Sequence, residues 1–374
     1  MESIIDDNPS IPSPTSLSRS SSISSSLPEE PSKRLPTSPP VSPLFDVRQT
    51  PTAGRAVFAT RDIPEGSLIW RSNDLSLSVL LREYRREVCG QCFGYDRGRD
   101  LDIRDKNVGF VFCSATCQTQ WREETGDIGI QAWTAVETLV KKRSKEDNEL
   151  VETNLLRPTS NEITKAWDSV AVQAGLIRVA RGSEATKQHR KALTKATQAP
   201  ISPDKLSFCL SGILWHYTHP KEWPNILALA ADPTPYHSTD DLAAFTRTYL
   251  HLLTILPPSL LPYVTAESLF VLSSRDSHNS FGIRSLEDEG SEFFGYGCWP
   301  AASYFNHSCA PNVEKGRKGR VWEFRAGKDI EAGEELNITY LSGEERKLSR
   351  VKRMERLRAN WGFECGCERC EIAS

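Results

Sequence analysis

Residues 303–313 read Ser-Tyr-Phe-Asn306-His307-Ser308-Cys309-Ala-Pro311-Asn312-Val313. This mixture does not suit a helix or a central strand. Short polar side chains compete with the backbone for its hydrogen bonds, and proline cannot donate to a ladder. Alone, the stretch is a turn crowded with hydrogen-bonding groups. Further on, Gly333-Glu-Glu-Leu-Asn-Ile-Thr-Tyr340 reads as a turn feeding a strand that ends on a tyrosine. The chain then closes through Trp361-Gly362-Phe363-Glu364-Cys365-Gly366-Cys367-Glu368-Arg369-Cys370.

The cysteines are clustered. Cys89-x2-Cys92 and Cys113-x3-Cys117 stand twenty residues apart and together supply four thiols, the number a tetrahedral zinc site takes. Cys365, Cys367 and Cys370 are one ligand short. By spacing alone the fourth is Cys209, Cys298, Cys309 or His307. Four plus three plus one recruit leaves two ordinary cysteines of the ten. The N-terminus lacks a basic start followed by an apolar core, so no signal peptide is expected, and reduced thiols then point to metal rather than disulfides. No window nears the ~18 apolar residues of a spanning helix. With 46 basic against 49 acidic residues the net charge is −3, which argues against a surface given over to nucleic acid.

Along the chain, residues 1–45 carry 14 Ser and 9 Pro with isolated apolar residues, the composition of a disordered tail. Residues 54–70 are expected to form strand, turn, strand around Pro64-Glu65-Gly66. The pattern Ala-x-basic-Asp-Ile-x-x-Gly occurs there and again at 326–333, so two hairpin-like pieces at opposite ends of the ordered region suggest a β-core assembled from distant segments. Between them the chain is mostly helical. Ile163, Trp167, Val170, Ala174 and Ile177 share one helix face. Leu242, Phe245, Tyr249 and Leu252 share another, with Ser238, Thr239 and Asp240 as available caps. Residues 181–200 are polar and ambiguous. Leu348, Val351, Met354, Leu357 and Trp361 form a last apolar face, whose other side carries Arg346, Lys347, Arg350, Lys352, Arg353, Arg356 and Arg358 as a solvated basic run.

In their order and spacing, four phrases resemble the SET-domain protein-lysine methyltransferases: Gly54-Arg55-Ala56-Val57-Phe58-Ala59, Asn306-His307-Ser308-Cys309, Gly333-Glu-Glu-Leu-x-Ile-x-Tyr340 and the Cys-x-Cys-x2-Cys tail. A zinc cluster inserted after the opening strands is similar to the SET-and-MYND (SMYD-like) subfamily. The resemblance implies an α+β fold: a β-rich SET core with a pseudoknot, a small inserted zinc finger, a helical insertion and a zinc-bound post-SET tail. The divisions expected are a tail at 1–45, SET core at 46–85, a reduced MYND-type finger at 86–125, helical linker and insertion at 126–270, SET core at 271–345, and helix plus post-SET tail at 346–374. It further implies two structural zinc ions, on Cys89, Cys92, Cys113 and Cys117, and on Cys365, Cys367 and Cys370 with Cys309 as fourth ligand. S-adenosylmethionine would lie against Gly54 and Arg55, Asn306 and His307, and Phe363. Tyr340 would face both the donor and the incoming lysine amine as the catalytic residue, orienting rather than attacking. The partner would be a protein substrate, histone or otherwise, met by a monomer in the nucleus and/or cytoplasm.

The chain departs from the family pattern in three places. Ala56 stands where a second glycine is usual. Only four of eight finger ligands are present, because residues 93–112 hold no Cys or His. The long C-terminal helical domain of many subfamily members has no counterpart before Ser374. Two other functions compete with the leading one: a weakly catalytic SET-fold adaptor, and a nucleic-acid-binding zinc protein using the finger and the 346–358 basic face.

Overall fold

The computed structural model describes residues 39–371 apart from 52, 143–155 and 287–291. The tail expected to be disordered lies, up to residue 38, outside the described residues. Six strands precede the helices: β1 (Phe45–Thr50), β2 (Gly54–Ala59), β3 (Leu68–Ser72), β4 (Leu77–Leu80), β5 (Ile103–Asp105) and β6 (Phe110–Phe112). Seven helices follow: α1 (Ala115–Lys142), α2 (Ser160–Ala180), α3 (Lys187–Gln198), α4 (Pro203–Thr218), α5 (Trp223–Leu227), α6 (Thr239–Ile255) and α7 (Ala266–Asn279). The chain then returns to strands β7 (Ser280–Arg284), β8 (Phe293–Cys298), β9 (Val313–Lys318) and β10 (Val321–Ala326), and ends in α8 (Arg350–Trp361) and α9 (Glu368–Glu371). Mixed strands and helices with two four-cysteine groups make this an α+β protein. No helix among the described residues is long and apolar enough to cross a membrane.

The strands form small antiparallel sheets that join early chain to late chain. β3 pairs with β10, which pairs with β9, and β4 pairs with β8, which pairs with β7. The expected strand-turn-strand over 54–70 exists, but it is not a hairpin, since β2 pairs with β1 and β3 with β10. The reason lies in the repeated phrase. Ile63 and Ile330 exchange backbone hydrogen bonds of 2.8 and 3.0 Å. Asp62 Oδ1 accepts from Ala332 N, and Asp329 Oδ1 accepts from Glu65 N, both at 2.9 Å. Gly66 N donates to Ala326 O, and Gly333 N to Ala59 O. The two copies therefore clasp each other reciprocally across more than 260 residues of sequence.

Two large apolar cores result, with a small third cluster at the tail. Phe45, Val57, Ile63, Phe294, Trp299, Phe305, Phe324, Leu336 and Ile338 fill the β-core. The helices close over a second core that includes Trp133, Trp167, Phe208, Tyr236 and Leu252. β4 serves both, since Leu77 and Val79 face the helices while Leu80 joins the β-core. The α2 stripe is buried at all five expected positions, and Thr159 begins the helix with a reciprocal capping box to Glu162. Ser238 caps α6. The ambiguous 181–200 segment contains α3, started by Thr186 and His189 in the same reciprocal arrangement. On α8 Leu357 is buried and Met354 and Trp361 pack beside it as expected, but one position of the face departs. Val351 is 63 % exposed, while Arg353, expected in solvent, is 3 % exposed. Its guanidinium is drawn inward by Leu348 O at 2.8 Å and Cys370 Sγ at 3.7 Å.

Gly295 in β8 has φ +149°, and an added Cβ would sit 1.9 Å from Val79 O of the paired strand. Gly295→Ala is expected to lower unfolding free energy by about 3 kcal/mol through backbone clash and strain. Gly316→Ala, whose Cβ meets nothing within 4 Å, should change it by less than about 1 kcal/mol. Denaturant melts of both variants check this contrast.

Candidate active site and cysteine clusters

The segment Glu334–Tyr340 runs between two others. On one side Ala59 N donates to Glu334 O at 2.9 Å and Leu336 N to Val57 O at 2.8 Å. On the other, Ile338 N donates to Asn306 O at 2.9 Å and Ser308 N to Ile338 O at 2.8 Å. Asn312 completes the binding: its Oδ1 accepts from Asn337 N at 2.8 Å and its Nδ2 donates to Glu335 O at 2.9 Å. The strand expected to end on Tyr340 is instead an extended segment that makes only the single bridges Phe58–Glu335 and His307–Ile338. Held against both the 54–59 and the 306–308 segments, it takes the place expected of the pseudoknot strand. It brings Gly54-Arg55, Asn306-His307 and Tyr340 into one neighbourhood.

Within it the side chains are tightly specified. Asn306 Nδ2 donates to Arg55 O at 3.2 Å and to Glu335 Oε1 at 3.1 Å. The Arg55 guanidinium donates to Tyr304 OH at 2.9 Å and lies 4.7 Å above that ring, and it also reaches Ala228 O on the helical side. Tyr340 OH donates to Phe305 O at 3.0 Å, and Tyr340 N donates to His307 Nδ1 at 2.9 Å. Burial, with the Glu335 carboxylate second, holds the Tyr340 hydroxyl above its ordinary pKa, so it stays protonated at neutral pH. Burial likewise presses His307 down to about 3, and its ring is neutral. Gly54 has a left-handed backbone (φ +70°). Ala56 does not: it is fully buried within regular β2 pairing, so the missing second glycine strains nothing in the strand.

Gly362 ends α8 in a left-handed cap (φ 70°), the geometry for which glycine is best suited, and turns Phe363 back toward the site. Phe363 lies 5.9 Å from the His307 ring and edge-on to Tyr340 at 6.3 Å. Trp361 lies 5.4 Å from Tyr340. Trp361, Glu335, Asn312 and Arg353 are participants that sequence reasoning did not assign to the site. The Trp-Gly-Phe phrase was a usable signal for the first. The other three take their roles from contacts that no spacing rule encodes.

Cys309 joins Cys365, Cys367 and Cys370, and all four sulfurs lie within 4.8 Å of one another. His307 is outside this group, and Cys209 and Cys298 are buried elsewhere in α4 and β8. Cys89, Cys92, Cys113 and Cys117 form the second such group. A tetrahedron of thiolates around zinc at about 2.3 Å has S–S edges of about 3.8 Å. The separations fit: 3.6 Å for Cys92–Cys113, 3.5 Å for Cys113–Cys117, 3.9 Å for Cys309–Cys365 and 3.5 Å for Cys309–Cys370. The first cluster is built on a knuckle in which Phe93 N donates to Cys89 O at 3.0 Å and Phe93 takes φ 59°. Cys117 is set by the α1 start, where its N donates to Ser114 Oγ.

With this geometry in hand, comparison places the chain. The family model described as SET domain matches residues 54–341, most of the 374, and the protein belongs to the SET-domain family. Among its relatives, a potential protein lysine methyltransferase of Saccharomyces cerevisiae, SET6, is 28 % identical over 371 aligned residues, covering 88 % of this chain and 96 % of that protein. The histone-lysine N-methyltransferase ASHR2 of Arabidopsis thaliana is 30 % identical over 180 residues, 44 % of each. The histone-lysine N-methyltransferase SMYD3 of Mus musculus is 37 % identical over 116 residues, 31 % of this chain and 24 % of that one. The chain thus spans nearly the whole yeast relative but under half of the other two. A solved SET domain of LSMT bound to lysine and AdoHcy aligns with a TM-score of 0.27 at 12 % identity, over 86 % of this chain and 53 % of that one.

If the tail cluster holds its own ion, Cys309→Ser reduces zinc from two ions to one per chain, while Cys209→Ser, remote from both groups, keeps two. Elemental analysis of the purified variants measures this, and two ions retained in Cys309→Ser would contradict the assignment.

Proposed function

We propose that this protein transfers methyl groups from S-adenosylmethionine to lysine side chains of proteins, histone or non-histone. The observation that carries the reading is the double fixation of Tyr340 by the Phe305–His307 segment, with Asn306 bonded to Arg55 beside it. Three segments distant in sequence are thereby set around one hydroxyl. The names of the relatives support the same chemistry.

S-adenosylmethionine, when bound, supplies an electrophilic methyl group on sulfur. Gly54, Arg55, Asn306 and His307 would hold it, with Phe363 as an aromatic wall. What the chain's own residues contribute is alignment, the main service available to an in-line displacement. Tyr340 spends its proton on Phe305 O and so presents oxygen lone pairs to an entering amine. The hydroxyl stays protonated and the Glu335 carboxylate is engaged by Asn306, so Tyr340 orients the amine without serving as base. Trp361 and Phe363 border the same tyrosine and shield it from water. Both four-cysteine groups take zinc as structural ions, the first as a reduced MYND-type finger, the second as a post-SET clamp. A monomer acting in the nucleus and/or cytoplasm completes the reading, supported by resemblance to the family.

A labelled-methyl assay with core histones and whole lysate tests the activity. Tyr340→Phe should lower transfer by about 100-fold, the scale of one lost orienting hydrogen bond at the reacting centre, with S-adenosylmethionine affinity within a few-fold of wild type by calorimetry. Equal transfer by Tyr340→Phe would sink the assignment. Because a free lysine has a pKa of ~10.4 and Tyr340 is held above its usual range, kcat/KM should climb with pH. A slope near one is expected between about pH 7 and 9, with no descending limb there. A bell-shaped profile centred in that window would show a protein base that the geometry lacks.

A further inference from the structure

We infer that the His307 imidazole is a positioning residue that links the tail cysteine cluster to Tyr340 through a relay specific to one tautomer. Tyr340 N donates to His307 Nδ1 at 2.9 Å, and His307 Nε2 lies 3.3 Å from Cys309 Sγ. A backbone amide can only donate, so Nδ1 is the bare nitrogen of the ring and the single imidazole proton sits on Nε2. That proton points at Cys309 Sγ, one of the four tail-cluster sulfurs. A metal-bound thiolate keeps excess negative charge and is a good acceptor for such a donor, which in turn steadies the ligand. Moving the proton to Nδ1 would set one N–H against the Tyr340 N–H and leave the sulfur without the imidazole's proton.

The ring is rigid, so the two contacts are not independent: the position of Cys309 sets where the Tyr340 backbone is anchored. The tyrosine is then held at both ends by one loop, at its amide by His307 and at its hydroxyl by Phe305 O at 3.0 Å. The same loop carries the cluster ligand two residues on. In this arrangement the metal site does more than close the tail. Through one side chain it fixes the reference point of the proposed catalytic hydroxyl. The consequence for methyl transfer rests on the function proposed above; the relay itself does not.

Two near-isosteric variants separate its halves. His307→Asn keeps an acceptor where Nδ1 stood and lacks the donor toward Cys309. His307→Gln places an amide N–H near the Nε2 position and lacks the acceptor. His307→Ala lacks both. The full-length, zinc-loaded protein is used throughout. In histidine-labelled protein, the nitrogen resonances lost in His307→Gln should report the Nε2–H tautomer in the wild type. Zinc release to a chelator should be about tenfold faster in the Asn and Ala variants and close to wild type in Gln, the scale of one charge-assisted hydrogen bond. Hydrogen exchange at the Tyr340 amide should show the opposite order, about tenfold faster in Gln and Ala and protected in Asn. An Nδ1–H tautomer, equal zinc release from Asn and Gln, or a Tyr340 amide indifferent to the substitution would each overturn the relay. None of these readouts needs turnover. Absence of methyl transfer in the wild type would therefore overturn the proposed activity alone, and failure here with transfer intact would overturn the relay alone.

Discussion

The site depends on one short run of backbone, Glu334–Tyr340, being hydrogen-bonded on both edges. Val57 and Ala59 take one edge, and Asn306 and Ser308 take the other. Without it the 54–59 strand and the 306–309 loop would have no common neighbour, since they are separated by some 250 residues. Backbone groups buried in this way must be paired, and they are paired with one another rather than with water. The polar composition of the 303–313 loop follows from this. Asn312 supplies an amide side chain to Asn337 N and Glu335 O where a regular strand would supply a peptide, and Val313 N at the start of β9 donates to Asn337 O beside it.

The reciprocal clasp of the two Asp-Ile-x-x-Gly phrases aligns that run. Each aspartate accepts a backbone proton from the other copy, and each glycine N–H reaches the last residue of the strand that leads into the other copy, Ala326 of β10 and Ala59 of β2. The glycines take positive φ (+76° at Gly66, +90° at Gly333), where a side chain would be strained. The internal repeat therefore has a structural use: two similar turns pair as equals and bring the ends of the ordered region together. From there the chain has only a few residues to travel before Tyr340 meets His307.

The tail closes the site by a different kind of force. Its apolar contribution is small, a cluster of Leu341, Leu357 and the cysteines with Met354, Trp361 and Phe363 packed against them. Four sulfurs gathered at about the edge length of a zinc tetrahedron can hold such a segment far more firmly than this little core. Arg353 sits inside the arrangement, its guanidinium donating to Leu348 O and Cys370 Sγ, where it would offset the charge of metal-bound thiolates. The amphipathic reading of α8 therefore holds at Met354, Leu357 and Trp361 and departs at Val351, which is in solvent, and Arg353, which is within.

The amino-acid sequence by itself determined the chemistry-bearing residues and the local elements. Helix stripes, caps, cysteine pairs and the Asn306-His307 and Tyr340 phrases are properties of residues within a few positions of each other, where spacing and side-chain type are enough. It also carried the resemblance that led to Cys309. The tertiary structure alone decided which strands pair, that Ile63 meets Ile330 rather than closing a hairpin, that the Asn312 side chain stands in for a strand peptide, and that the His307 ring lies between a sulfur and a tyrosine amide. Those outcomes depend on which distant segment satisfies a given donor or acceptor. A chain does not spell out that choice locally, because the free energy of each pairing is set only when all the competing partners are in place.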